Sequence, residues 1–231
     1  MNNHIYLVLI ISLLLISCGS KKEVTKNTKP VEKDIYLNTE DDLLIAGSTN
    51  FNENESLSIY TAILKNVVGN KPGAYIGNKM DKLANFFDNN VESSELLRAG
   101  EGLILEFNST SNLNFENGKT NLNASTKETM SVIVTALKNF PKVNLIIESH
   151  TDSSGEEAIN MKMTTERVNS INTYLVENGI EASRIKTKSF GEKQPKFENN
   201  TNLNQQKNRR IEFGFYASEE LKAEAKTMTE E

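Results

Sequence analysis

Val143-Asn144-Leu145-Ile146-Ile147-Glu148-Ser149-His150, continuing into Thr151-Asp152-Ser153-Ser154-Gly155, is the stretch that decides the fold. Val143, Leu145 and Ile147 alternate with Asn144 and Glu148, the period of a strand with one buried face. Residues 155–177 then place Val168, Ile171 and Leu175 on one side of a helix, which Asn178-Gly179 stops. Residues 185–190 supply another strand. Upstream, Met130, Ile133, Val134 and Leu137 form one helical face behind a capping-box pair, Ser125 and Glu128, and Pro141 closes that helix. Strands alternating with helices predict an α/β unit: a two-layer sandwich of a mixed sheet with two main helices.

Working outward, Leu113 and Phe115 predict a short strand before a turn at Glu116-Asn117-Gly118-Lys119. Leu96-Leu97-Arg98, Ala99-Gly100-Glu101-Gly102 and the alternating Leu103, Leu105 and Phe107 predict a β-hairpin. On the other side, a short helix is expected over 202–207 and a strand over 210–216. The unit therefore spans 96–216, and the acidic residues 217–231 read as a frayed, disordered tail.

Residues 41–95 predict a small helical region. Leu57, Ile59, Tyr60, Ile63, Leu64, Val67 and Val68 recur at helical spacing, and Gly69, Gly73 and Gly77 follow at intervals of four. Small residues so spaced permit close helix approach. Lys71 and Pro72 between them favour instead a broken loop, with a second helix over 78–88 burying Leu83, Phe86 and Phe87.

At the N-terminus, residues 5–16 are apolar except Tyr6 and Ser12. As a helix they reach only about 18 Å against a hydrocarbon core of about 30 Å, so 1–17 reads as a signal segment rather than a span. Leu15-Ile16-Ser17-Cys18-Gly19-Ser20 resembles a bacterial lipobox. That resemblance implies lipidation of Cys18, and Gly19, which is not the inner-membrane-retaining aspartate, implies an outer-membrane destination. Acyl chains at about 0.8 kcal/mol per buried methylene give durable anchoring. Residues 18–40, charged and containing Pro30, then form a flexible tether.

Composition excludes several classes. Among 231 residues, 26 are basic and 31 acidic, a net charge of −5 that disfavours nucleic acid. One cysteine and two histidines cannot build a cysteine- or histidine-rich metal centre, and no cofactor motif is present. His4 falls in the signal segment, so nucleophile–histidine chemistry has only His150, and no carboxylate pair emerges. No catalytic residue is expected.

Asp152 follows the deciding strand, and Arg167 lies within the following helix. The positions three and four residues either side of Arg167 are Met163, Thr164, Ser170 and Ile171, so it has no helical acidic partner and needs another anion. Asn160, two turns earlier, falls about 20° from it on the same face. Taken alone, Asp152 reads equally as a turn residue ahead of a Ser154–Glu157 capping box, Arg167 as a surface cation, and His150 as a strand-end packing residue.

Together, Ser149-His150-Thr151-Asp152-Ser153-Ser154-Gly155, Asn160, Met163-Thr164, Arg167 and Asn208-Arg209-Arg210-Ile211-Glu212 resemble the motif of OmpA-like peptidoglycan-binding domains. The resemblance covers about half the chain. It implies noncovalent binding of the diaminopimelate residue of the peptidoglycan stem peptide. Asp152 receives the ammonium group and Arg167 the carboxylate. Asn160 and Arg209 add hydrogen bonds, Thr151 belongs to the same motif, and the turn at Asn117 and Gly118 offers backbone groups. It also implies a lipid-anchored outer-membrane protein facing the periplasm, with the wall as partner. The rival expectation is an envelope protein partner for residues 57–88.

Overall fold

The alternating apolar residues of the deciding stretch form an interior strand of a five-stranded sheet. The computed structural model describes residues 58–230. The expected signal segment, Cys18, the tether and residues 41–57 lie outside the described residues. In chain order come α1 (Ile59–Leu64), α2 (Asn70–Asn90), β1 (Glu95–Ala99), β2 (Gly102–Asn108), α3 (Ala124–Asn139), β3 (Val143–His150) and α4 (Glu157–Glu177). A 3-10 turn (Ala182–Arg184) leads into β4 (Ile185–Gly191), α5 (Asn202–Asn208), β5 (Arg210–Ala217) and α6 (Glu219–Thr227). The strand order is β1-β2-β5-β3-β4. Only β3 and β4 are parallel, as expected of strands joined through a helix, and the other pairs are antiparallel. The α/β architecture of a mixed sheet with two main helices is thus present. No helix among the described residues is long and apolar enough to cross a membrane.

One face of the sheet presents Leu103, Leu105 and Phe107, then Val143, Leu145 and Ile147, then Ile211, Phe213 and Phe215. Met130, Ile133 and Leu137 of α3 and Val168, Ile171 and Leu175 of α4 bury against it. The same core takes Ile76, Met80, Leu83 and Phe87 of α2, with the Phe87 ring 4.9 Å from that of Phe215. The boundary expected near residue 96 is therefore no break in packing. The opposite face receives α1, whose Ile59 and Ile63 join Ala99, Ile104, Ile146 and Tyr216. Each buried isoleucine contributes about 1.5–3 kcal/mol. Gly214 admits them: a Cβ there would lie 2.6 Å from Ile59 Cγ1.

Four sequence expectations are corrected. First, α2 begins at Asn70 rather than 78 and contains Lys71, Pro72 and Gly73. Proline is compatible because it sits in the first turn, where an N–H has no helical acceptor. The turn of the hairpin caps this helix: the Glu101 carboxylate accepts from Val68 N at 3.0 Å and Gly69 N at 2.6 Å. A Cβ at Gly73 would come within 2.0 Å of Glu101 Oε1. Gly69 and Gly73 thus serve the cap, whereas a Cβ at Gly77 would meet only open space.

Second, Leu113 and Phe115 lie in irregular chain. The Asn108 side chain accepts from Thr110 N at 2.9 Å and the Asn114 amide donates to Ser111 O, local bonds that replace a ladder. Third, α3 is capped by Asn123, which accepts from Thr126 N at 2.8 Å, while Ser125 Oγ donates to Asn112 O. Fourth, the expected frayed tail forms α6, with Leu221 and Ala225 fully buried. Ser218 caps it, and Glu224 accepts from Tyr75 Oη, Lys79 Nζ and Lys142 Nζ at 2.5–2.8 Å.

Candidate functional site

β3 delivers the site by running out at His150 into Thr151 and Asp152. A register shift at Ser149/His150 sets His150 opposite Gly191, and Thr151 N donates to Gly191 O at 2.8 Å. Gly191 has φ +55, and a Cβ there would meet the backbone of Met161 at 3.0 Å, so the end of β4 packs directly on α4. Thr164 Oγ1 accepts from Gly191 N at 3.1 Å and fixes that contact. These bonds hold the β3 exit against the first turns of α4.

The two expected charged residues lie on one cleft of about 570 Å³, together with Thr151, Ser154, Asn160, Met163, Phe115, Asn117 and Arg209. Asp152 is 4% exposed. Its Oδ1 accepts from Ser154 N at 2.8 Å, and its Oδ2 is paired with Arg209 Nη1. Burial alone would push this carboxyl up, but the Ser154 bonds and the Arg209 guanidinium together hold it below the usual carboxylate range.

Arg167 is 6% exposed. Its Nε donates to Lys119 O at 3.1 Å, its Nη2 to Glu116 O at 3.4 Å, and its guanidinium carbon lies 5.0 Å from the Phe115 ring centre. All of these partners are neutral. Burial, and then repulsion from Arg209, lower its pKa to about 10, so it remains a cation at neutral pH with no carboxylate paired to it among the described residues.

Asn160 is turned to loop positioning. Its amide nitrogen donates to Glu192 Oε2 at 2.6 Å and Ser154 O at 3.0 Å, and lies 3.4 Å from Asp152 O. Thr151 contributes to the cleft lining, and its Oγ1 is buried with no hydrogen-bond partner among the described residues. Gly118 supplies a positive φ of +67 to the turn but does not line the cleft. The turn's carbonyls go to Arg167. Arg209 is the C-cap of α5, whose Thr201 N-cap accepts from Asn204 N at 3.1 Å. Asn208, fully buried, accepts from Lys196 N and Phe197 N and donates to Phe197 O, tying that helix end to the preceding loop.

Sequence reading missed Phe115 as the platform under Arg167 and the pairing of Arg209 with Asp152. The first carried a faint signal, an aromatic beside the glycine turn. The second carried none, because the partners are 57 residues apart.

Behind the cleft, on the α1 side of the sheet, Glu106, Glu148, His150, Arg210 and Glu212 are all buried. Burial first, then the charge of Glu212, pushes the Glu148 carboxyl up to about 8, and burial holds the His150 imidazole well below its usual value. His150 stacks on Phe190 at 5.0 Å, a packing role. Ligand atoms of Glu148, His150 and Glu212 fall within 4.8 Å of one another, the spacing of a metal centre. However, Arg210 Nε lies 2.6 Å from Glu212 and Lys188 Nζ 3.7 Å from Glu148. Both carboxylates thus already face cations, and a divalent ion would add uncompensated positive charge. The group is a buried polar cluster built on the Arg210–Glu212 ion pair, beside which Glu148 keeps its proton.

A model of the OmpA family matches residues 114–209. The probable lipoprotein YiaD of Escherichia coli is 31% identical over 116 residues, half of this chain and 52% of the relative. The outer-membrane lipoprotein YfiB of Pseudomonas aeruginosa is 30% identical over 106 residues, 46% of this chain and 63% of its own. Outer membrane protein Omp38 of Acinetobacter baumannii is 29% identical over 122 residues, 52% of this chain and 34% of its own. The chain thus spans about half or less of the length of the first of these and of Omp38. In fold, a MotB-like protein from Desulfovibrio vulgaris superposes with a TM-score of 0.57 at 20% identity, over 64% of this chain and 94% of that one. The cell wall anchor of the T6SS from Pseudomonas aeruginosa does so at 0.52 and 17%, over 59% and 97%. The segment matched by the OmpA family model, residues 114–209, carries every expected site residue of the cleft.

Proposed function

We propose that this protein is a non-enzymatic outer-membrane lipoprotein that binds peptidoglycan noncovalently through the diaminopimelate residue of the stem peptide, tethering membrane to wall. One observation carries the reading: a buried carboxylate, Asp152, and a buried guanidinium with no anion of its own, Arg167, line the same cleft. A carboxylate accepts from an ammonium group, and a planar guanidinium grips a carboxylate at two points. A zwitterionic amino-acid centre satisfies both. Each charge-assisted bond contributes about 1.5–3 kcal/mol, so one site binds modestly, and many anchored copies hold a polymer firmly.

Relatives named as lipoproteins support the anchoring half of the reading. Cys18 is the residue to carry the acyl chains, and incorporation of labelled palmitate that disappears in Cys18→Ser is the measurement that checks it. For the wall, the delipidated chain is expected to sediment with purified sacculi while Asp152→Ala and Arg167→Ala stay in solution. Equal sedimentation of all three overturns the site assignment. Within residues 57–88, offered as the alternative partner-binding region, Ile59, Ile63, Ile76, Met80, Leu83 and Phe87 are buried in the chain's own core, and Val67 is exposed.

A further inference from the structure

Among the charged residues that line the cleft, Asp152 and Arg167 are buried and Arg209 is half-buried. Glu116 stands exposed on the rim. The two arginines differ in freedom. Arg167 is fixed by two carbonyls and the Phe115 ring. Arg209 is 35% exposed along its side chain, and its pairing with Asp152 is its only side-chain bond among the described residues. Arg210, which also lines the cleft, is committed to Glu212 and Gln194 O.

We propose that Arg209 is an exchangeable internal cation that occupies the ammonium position at Asp152 and so makes the cleft selective for ligands bearing an ammonium and a carboxylate together. This rests on the stem-peptide reading above and deepens it. A ligand with only an ammonium group must displace Arg209 from Asp152, leaving two like-charged guanidiniums facing each other without an anion. A ligand with only carboxylates meets Arg167 but finds Asp152 neutralised and gains nothing there. A zwitterion does both: its ammonium takes Asp152, and the released Arg209 joins Arg167 around its carboxylate. The exchange keeps Asp152 paired and places two guanidiniums around one carboxylate, a set of contacts that neither half-ligand makes.

The test titrates the full chain with meso-diaminopimelate, with pimelate, which lacks both amines, and with 1,5-diaminopentane, which lacks both carboxylates. The unsubstituted chain is expected to bind diaminopimelate at least about tenfold more tightly than either half-ligand. In Arg209→Gln, diaminopentane gains affinity because Asp152 is open to it, diaminopimelate loses, and the preference between them collapses about tenfold or more. Arg209→Lys, with the charge on a more flexible arm and no fork, falls between, and it provides the reading if the glutamine variant does not fold by circular dichroism. Unchanged diaminopentane affinity in both variants, with diaminopimelate binding still abolished by Asp152→Asn, overturns the exchange and leaves the wall-binding reading standing. No diaminopimelate binding by the unsubstituted chain overturns both.

Discussion

Phe115 shows how a neutral residue sets the strength of a charged one. Arg167 has two carbonyl acceptors and an aromatic face, and together they hold its guanidinium flat against one wall of the cleft. An arginine over an aromatic ring gains about 0.5–2 kcal/mol. Phe115→Leu keeps the apolar contact but loses the ring, and it is expected to weaken wall binding about three- to tenfold with little change in fold. Calorimetric titration with a stem-peptide fragment checks this, and undiminished affinity refutes the platform role. The charged pair itself was legible in sequence, because an arginine at a helix edge without acidic neighbours asks for an anion. Its supports were not. Phe115 alternates with Leu113 and so reads as a strand until the Asn108 and Asn114 side chains bend the chain away.

At the level of elements, the β3–α4–β4 core was legible because periodicity and length agree with tertiary packing there. The start of α2 was not. Gly69, Lys71, Pro72 and Gly73 are loop formers by local rules, and the helix persists through them because Glu101, 32 residues away from Gly69, supplies the cap. No local signal encodes that distance. Loss of such a carboxylate cap costs about 1–2 kcal/mol. Glu101→Ala is therefore expected to lower the melting temperature by several degrees. Gly73→Ala should cost a similar amount, since the new methyl displaces the same carboxylate. The two are expected to be non-additive, the double variant melting close to either single one. A fully additive cycle would show that Gly73 serves some contact other than the cap.

Across the whole molecule, two carboxylates with opposite shifts shape stability against pH. Glu224, held by Lys142, Lys79 and Tyr75, is brought from 4.5 down to about 2, so its contribution is present above pH 4.5 and is lost as pH falls toward 2. Glu148, raised from 4.5 to about 8, mainly by burial, works the other way. The folded state keeps its proton where the unfolded chain has released it, so stability falls as pH rises from 4.5 to about 8 and levels beyond. The two slopes meet near pH 4.5, where their joint contribution to thermal stability is expected to be greatest. Substitution separates them. Glu148→Gln retains the shape but cannot ionise, so it should melt higher than the unsubstituted chain at pH 8, with the difference vanishing toward pH 4.5. Glu224→Gln should melt lower at pH 6 and converge on the unsubstituted chain as pH approaches 2, with α6 the first element to lose amide protection. The reverse slope for Glu148→Gln would mean that the carboxylate is ionised and paired in the fold, with Lys188 and Arg210 outweighing burial.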